Sequence, residues 1–588
     1  MIKIRNLTFE YFDRDDEGYL TDMVNAIRGI NFDAKEGQII AIAGRNGSGK
    51  STLAKILNRL VEPMDGSIDI DGLDAYDADN TIEIRKRVGM VFQNPDDQLF
   101  GSIIGEDIAF GPENIGVPYD ELWGRVYNAI DMVGMAPLGD KKKQREVLET
   151  RINAISGGEK QKVAIAGVLA MGNKCIILDE STSMLDGNSR KELLTAITKL
   201  NKDKKITVIL ITHLMEELLL ADTIYIMDKG KIVARGNRNT ILSDAELLEK
   251  YGLGQPPITK ISKLLYDTGY LRTQNIYSIE EFVERLKIEH PYSFEKNVKP
   301  QISQPISKKI DPVNAILFNK VSFSYGKNKV VNAASFNIAK GDFAAIVGAS
   351  GAGKTTITEL MAGLLKPQMG EVYIDGRDMW DSTTETKQIR SKVGYLFQYP
   401  EHQLFAKNVY EDVVFGARNI GVSEVEAEKR AYEAIELVGL PQDIYDIPID
   451  KLSGGQKRRV ALAGVLAMGP EYLILDEPTA GLDPEGKKQM LNIIARLNNE
   501  AGITIVVVSH AAEEIAKYAK HIIFVNDGSI GLCGNPEDVF LEMCKNGYEL
   551  YTPVIMQLLS RLRAEGMDID VKCIDTNEGI RRISESIR

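Results

Sequence analysis

Ile39-Ile40-Ala41-Ile42-Ala43 runs directly into Gly44-Arg45-Asn46-Gly47-Ser48-Gly49-Lys50-Ser51, and this stretch decides the fold. Five apolar residues read as a buried strand, the glycine-rich segment as a loop, and the residues from Lys50 on as a helix. A GxxxxGK[ST] loop between strand and helix offers backbone N–H groups and a helix N-terminus to an anion, here the β- and γ-phosphates of a nucleotide. Lys50 adds a point charge, Ser51 a hydroxyl for Mg²⁺, and Thr52 completes the candidate phosphate contacts. The pattern returns as Phe343 to Val347 followed by Gly348-Ala349-Ser350-Gly351-Ala352-Gly353-Lys354-Thr355 and then Thr356. Lys354 lies 304 residues beyond Lys50.

A whole set of motifs repeats in the same order. Gln93 is matched by Gln398 at an offset of 305. Ser156-Gly157-Gly158, Asp179-Glu180 and His213 are matched by Ser453-Gly454-Gly455, Asp476-Glu477 and His510, all at 297. A stray loop match in one chain is weak evidence, but two ordered sets at a nearly fixed period mean one domain duplicated.

Around these motifs each repeat alternates strand-like and helical stretches, which predicts an α/β fold with a largely parallel sheet. Leu7-Phe9-Tyr11 and Val321-Phe323-Tyr325 alternate as opening strands, and Cys175 to Leu178, Thr207 to Ile211, Tyr472 to Leu475 and Thr504 to Val508 read as central ones. Asp228-Lys229-Gly230-Lys231 and Asn526-Asp527-Gly528-Ser529 read as hairpin turns. From Gln93 to Ser156, and from Gln398 to Ser453, the pattern is mostly helical, as for a lobe inserted into the sheet domain. The expected organisation is a first domain over 1–250 with an appendage over 251–288, a proline-bearing linker over 289–312, a second domain over 313–540, and its appendage over 541–588.

Bulk properties bound the function. The 588 residues carry a net charge of −13, which repels a nucleic-acid backbone and argues against nucleic acid as the main partner. The four cysteines show no CxxC spacing, so neither a disulfide framework nor a structural metal is expected. The N-terminal residues MIKIRNLTFEYF have no signal-peptide pattern, and no apolar run approaches the ~20 residues of a membrane span. A cytosolic chain is expected, with any membrane role exerted through a partner.

The residue types assign candidate chemistry. A carboxylate at the carboxyl end of a central strand sits beside the phosphate crevice, so Asp179 and Asp476 are candidate Mg²⁺ ligands and Glu180 and Glu477 candidates to polarise the attacking water. The bland alternative for each is a capping acid. His213 and His510 each follow the next apolar strand and can reach a γ-phosphate, whereas His290, His402 and His521 have no repeated counterpart and read as structural. Ser156 and Ser453 each start a helix with no strand before it, so these segments are second anion sites rather than second phosphate loops.

In combination these motifs resemble two ATP-binding cassette (ABC) domains in tandem, over residues 1–250 and 315–540. The resemblance implies a phosphate-loop sheet core with an inserted helical lobe, ATP and Mg²⁺ as cofactors, and two cassettes closing head to tail within one chain. Lys50, Gln93, Asp179, Glu180 and His213 would then share a site with Ser453, Gly454 and Gly455. Lys354, Gln398, Asp476, Glu477 and His510 would share one with Ser156, Gly157 and Gly158. It also implies Gln93 and Gln398 as Mg²⁺ contacts and Tyr11 and Tyr325 as adenine-stacking rings, their alternative being core aromatics. The first repeat departs from the family pattern at Ile155, Glu159, Ser181 and Ser183-Met184-Leu185-Asp186, where the second has Leu452, Gln456, Pro478 and Ala480-Gly481-Leu482-Asp483. No catalytic group is lost, so two hydrolysis-competent sites are expected.

The segments QNPDDQLF (Gln93 to Phe100) and QYPEHQLF (Gln398 to Phe405), followed by EDIAFG (Glu106 to Gly111) and EDVVFG (Glu411 to Gly416), narrow the resemblance. They are similar to the ATPase subunits of energy-coupling factor importers and their cobalt- or nickel-type relatives. That implies a transmembrane coupling subunit and a substrate-binding membrane subunit as partners, at the cytoplasmic face of the cell membrane. Packing of the helical lobe alone would also account for these segments. The rival readings are a soluble twin-cassette ATPase acting on ribosomes or DNA, and a twin-cassette sugar importer ATPase.

Overall fold

The computed structural model describes residues 1–14, 20–182, 185, 187–294, 315–381 and 386–587. Most of the expected linker, with Ser183, Met184 and Asp186, lies outside them. The chain divides into two compact units, Met1–Lys260 and Ile261–Arg588.

The phosphate-loop strand of each unit lies inside a six-stranded sheet. In the first unit the order is Lys231–Gly236, Thr223–Asp228, Ile39–Ala43, Thr207–Ile211, Cys175–Asp179 and Val88–Val91. All neighbours are parallel except the hairpin formed by the first two. The second unit repeats this order with Ser529–Gly534, His521–Asn526, Phe343–Val347, Thr504–Val508, Tyr472–Asp476 and Val393–Leu396. The central strands are apolar on both faces because both are covered. Both hairpins turn at the expected dipeptides, with φ of +46° and +77° at Lys229 and Gly230 and +45° and +72° at Asp527 and Gly528.

A second, antiparallel four-stranded sheet covers one face in each unit, built on Ile2–Arg14 in the first and Ile316–Tyr325 in the second. In the first core Ile40, Ile42, Ile177, Ile209 and Ile211 from the parallel sheet meet Ile2, Ile4, Leu7 and Phe32 from the antiparallel one. Phe318, Phe336, Ile346 and Val508 occupy the corresponding core of the second.

The helical lobes are inserted where the sequence places them. The first holds Ile104–Asn114, Tyr119–Met132, Lys141–Leu148 and Gly157–Met171; the second holds Val409–Asn419, Glu424–Leu437 and Gly454–Ala467. The drop in offset from 305 to 297 means eight more residues in the first repeat, and the eight-residue helix Lys141–Leu148 accounts for them. At that point the second repeat has only the short turns Gln442–Ile444 and Ile449–Lys451.

The appendages begin with helices Pro257–Asp267 and Val554–Ala564, each ended by a glycine of positive φ, Gly269 and Gly566. The segment read from sequence as the first repeat's appendage belongs, from Ile261 on, to the second unit. There the helix Ile279–Glu289 packs on Val554–Ala564, and Lys287 pairs with Glu565. Amphipathic periodicity reports that a face is buried, not what buries it.

Candidate functional site

The phosphate loops are held by contacts only glycine permits. A Cβ on Gly44, at φ +150°, would stand 2.1 Å from the carbonyl oxygen of Met227, and one on Gly348 2.2 Å from that of Val525. The loop backbone is therefore pressed onto the end of the adjacent strand. Lys50 Nζ folds back over its loop and donates to the carbonyls of Gly44 and Arg45, both at 2.9 Å, while standing 3.9 Å from Glu180. Lys354 does the same with Gly348 and Ala349, at 3.1 and 2.7 Å. The buried Ser48 hydroxyl has no hydrogen-bond partner among the described residues. Asn46, Gly47, Gly49, Ser350, Gly351, Ala352 and Gly353 complete the two turns before the helices Lys50–Leu57 and Lys354–Met361.

The carboxylates converge on these loops. Ser51 Oγ donates to Asp179 Oδ1 at 3.0 Å. Burial pushes the Asp179 carboxyl up to about 6, and Glu180 adds to the rise while Ser51 and Lys50 oppose it. Asp476 is likewise pushed up to about 6 by burial, against the Thr355 hydroxyl and Lys354. Its buried Oδ1 has no hydrogen-bond partner among the described residues. Such a carboxylate gains from a cation placed beside it.

Glu180 and Glu477 follow at left-handed φ of +47° and +48°, a conformation that costs a non-glycine residue about 1–3 kcal/mol. Each is pinned there because its N–H donates to the next strand, Glu180 to Ile211 O at 2.9 Å and Glu477 to Val508 O at 3.1 Å. Gln93 Nε2 donates to Glu180 Oε2 at 3.1 Å, and Gln398 Nε2 to Glu477 Oε2 at the same distance. His510 Nε2 lies 2.8 Å from Glu477 Oε1, whereas His213 presents Nδ1 to Glu180 Oε1 at 3.6 Å. Burial alone would raise Glu477, but the bond from His510, the charges of His510 and Lys354, and Gln398 together hold it below the usual carboxylate range.

The serine-glycine segments cap lobe helices, with Ser156, Gly157, Ser453 and Gly454 exposed and Gly158 and Gly455 half-buried. Ser156 accepts from the Glu159 N–H and donates its hydroxyl to the Glu159 carboxylate, which also accepts the Ser156 N–H. Ser453 and Gln456 form the same capping box, with a neutral amide in place of the carboxylate. Gly157, Gly158, Gly454 and Gly455 form the first turns.

Tyr11 and Tyr325 are not core aromatics. Their exposures are 40% and 50%, and each packs edge-on against the preceding strand aromatic, Phe9 or Phe323. The Tyr11 hydroxyl is 3.4 Å from Thr52 Oγ1, and that of Tyr325 donates to Glu359 at 3.3 Å with Thr356 beside it, so both rings stand over the start of a phosphate-loop helix.

Further residues hold this arrangement. The buried Glu217 accepts from the Thr182 hydroxyl, and Glu514 stands beside Thr479 at the corresponding place in the second unit. Asp107 Oδ2 accepts the N–H groups of Phe100 and Gly101 at 2.9 and 2.7 Å, and Asp412 accepts those of Phe405 and Ala406 at 2.9 Å. Recurrence at 297 residues was the available signal for the first set, and Asp107 and Asp412 are the second acids of the EDxxFG segments. Thus braced, Phe100 packs edge-on against Phe110 and Phe405 against Phe415, yet the four rings are 62%, 46%, 65% and 45% exposed.

The glycine cradles, the unpartnered Ser48 hydroxyl and the unpartnered Asp476 oxygen fit a bound phosphate chain with its cation. Among the described residues no helix is long and apolar enough to cross a membrane.

A family model described as ABC transporter matches residues 27–183 and 331–480. A Methanosarcina mazei protein named as an ABC transporter ATP-binding protein is 34% identical, covering 97% of this chain and 95% of its own length. One from Caldanaerobacter subterraneus subsp. tengcongensis, named in the same terms, is 33% identical over 95% of this chain and 96% of its own. The solved structure of cbiO1 from Clostridium perfringens, described as part of the ABC transporter complex cbiONQ, is 35% identical. It covers 43% of this chain and 97% of its own, with a TM-score of 0.37. With its motifs doubled and its length spanned by such relatives, the chain belongs to the ABC transporter family, as an ATP-binding and ATP-hydrolysing component made of two fused cassettes.

Proposed function

We propose that this chain energises an importer of the energy-coupling factor type, taking up a vitamin, a vitamin precursor or a transition-metal ion. The observation that carries the reading is the exposed aromatic pair on each lobe, Phe100–Phe110 and Phe405–Phe415, built from the QLF and EDxxFG motifs. A soluble domain gains nothing by bracing four phenylalanines in water, and such patches mark contact with a partner. The partner read here is a transmembrane coupling subunit that in turn moves a substrate-binding membrane subunit. The chain works as a peripheral protein on the cytoplasmic face, and nucleic acid is not its partner.

In this reading Lys50 and Lys354 turn from their loop carbonyls to the phosphates. Tyr11 and Tyr325 stack on adenine. Mg²⁺ held by Ser51, Gln93 and Asp179, and by Thr355, Gln398 and Asp476, would neutralise charge on the transferred phosphoryl group. Glu180 and Glu477 orient and polarise water, helped by His213 and His510. Each cassette lends its Ser-Gly-Gly segment to the other's nucleotide, so both sites form within one chain. Because Gln93 and Gln398 touch those glutamates and also open the partner-facing segments, closure over ATP reaches the membrane subunit through them.

Detergent extraction with the tagged full chain, followed by mass identification of what co-purifies, tests the assignment. Integral membrane proteins are expected, and loss of both phenylalanine pairs should release them. Recovery with ribosomes or nucleic acid instead would overturn it.

A further inference from the structure

The two histidine loops are anchored differently. In the second unit His510 leads into the helix Ala512–Tyr518, whose first turn carries Glu513 and Glu514. Glu514 turns toward the site and stands beside Thr479, two residues beyond Glu477. Glu513 turns the other way and accepts the backbone N–H of Val554 at 2.5 Å. Val554 is the first residue of the appendage helix Val554–Ala564, so this carboxylate satisfies a donor that the helix cannot satisfy itself. That appendage helix is a firm anchor. It packs on Ile279–Glu289 and on Pro536–Lys545, and Ile555, Met556, Leu558, Leu559 and Leu562 are buried.

The first unit lacks the tie. Glu216 occupies the position of Glu513 but is exposed and pairs with Arg190 at 3.5 Å. The residue matching Val554 is Pro257, which has no N–H to give. Only the inward contact, Glu217 with Thr182, is kept. The histidines differ accordingly, with His510 2.8 Å from its glutamate and His213 3.6 Å from its own.

We propose that Glu513 is a positioning residue for the second ATP site: by clamping the histidine loop to the appendage helix it keeps His510 seated on Glu477, and the untied first site turns over more slowly. The inference rests on the reading of His510 as part of the hydrolytic machinery. It makes the appendage part of the ATPase cycle of one site only, so a partner that displaces the appendage helix would slow that site.

Steady-state hydrolysis by the full chain tests it with variants that fail differently. Glu513→Ala removes the acceptor. Val554→Pro removes the donor while keeping a good first helical residue, as Pro257 does naturally. Each should lower kcat several-fold, up to about ten-fold, with KM for ATP within about two-fold, a split that uniform binding loss would not give. The double variant should be no worse than either single, and Glu513→Gln, whose amide oxygen still accepts, should restore most of the rate. In a His510→Ala background Glu513→Ala should have no further effect. Normal kcat in both Glu513→Ala and Val554→Pro, with His510→Ala impaired, would sink this inference and leave the catalytic reading standing. Normal kcat in His510→Ala would remove the catalytic reading, and the inference with it.

Discussion

Gln93 holds Glu180: its amide nitrogen donates to the carboxylate at 3.1 Å, and Gln398 makes the same bond to Glu477 at the same distance. One residue thus joins the glutamate read as activating water to the segment that presents Phe100 or Phe405. Replacing Gln93 or Gln398 by Ala should lower kcat roughly ten-fold or more and leave ATP affinity nearly unchanged, as equilibrium binding with a fluorescent ATP analogue would show. Loss of ATP binding with no change in kcat would reverse the assignment.

Gly44 and Gly348 should be intolerant of even a methyl group. Gly44→Ala places a Cβ 2.1 Å from Met227 O and fixes an unfavourable φ, so a stability loss above about 2 kcal/mol is expected, together with lost nucleotide binding. Thermal melts with and without ATP measure both. An unchanged melting temperature would show that the loop relaxes freely.

Asp107 and Phe100 separate bracing from docking. Asp107→Ala strips the acceptor from two N–H groups, at about 1–3 kcal/mol for each one left unsatisfied, and should lower stability as well as partner capture. Phe100→Ser removes an exposed ring and should reduce capture of membrane proteins with little change in melting temperature. A large melting shift in Phe100→Ser would mark the ring as packing rather than contact.

Lys392 makes a pH-dependent contribution in the second unit. It bonds Asp375 at 2.8 Å and lies 3.0 Å from Glu471. Burial would raise Asp375, but Lys392 and Tyr472 hold it below the usual carboxylate range, and bonds from Lys340 and Lys392 hold Glu471 there. With both folded-state values lowered, the unfolded chain binds more protons near pH 4, so this stability is present above that range and lost as pH falls through the lowered values. Lys392→Met should therefore lower the melting temperature at about pH 7 and much less at about pH 3. Equal deficits at both would detach the effect from these carboxylates.

The sequence exposed whatever repeats or alternates. Ile39–Ala43, the hairpin at Lys229-Gly230 and the lobe insertions all lie where their local patterns put them. Contacts without a period stayed hidden. The bond from Val554 to Glu513 spans 41 residues, and the packing of Ile279–Glu289 on Val554–Ala564 joins segments over 250 residues apart. Helix Lys141–Leu148 was visible only as a change in offset, since eight mostly charged residues carry almost no hydrophobic signal.

The central claim is that both sites hydrolyse ATP, and it is met most directly by substituting the two glutamates separately. Glu180→Gln and Glu477→Gln keep the bond from Gln93 or Gln398 within reach while removing the base. Each single variant should bind ATP normally and turn over more slowly than the parent, and the double variant should be inert. Full turnover after either single substitution would remove that glutamate, and its site, from the account.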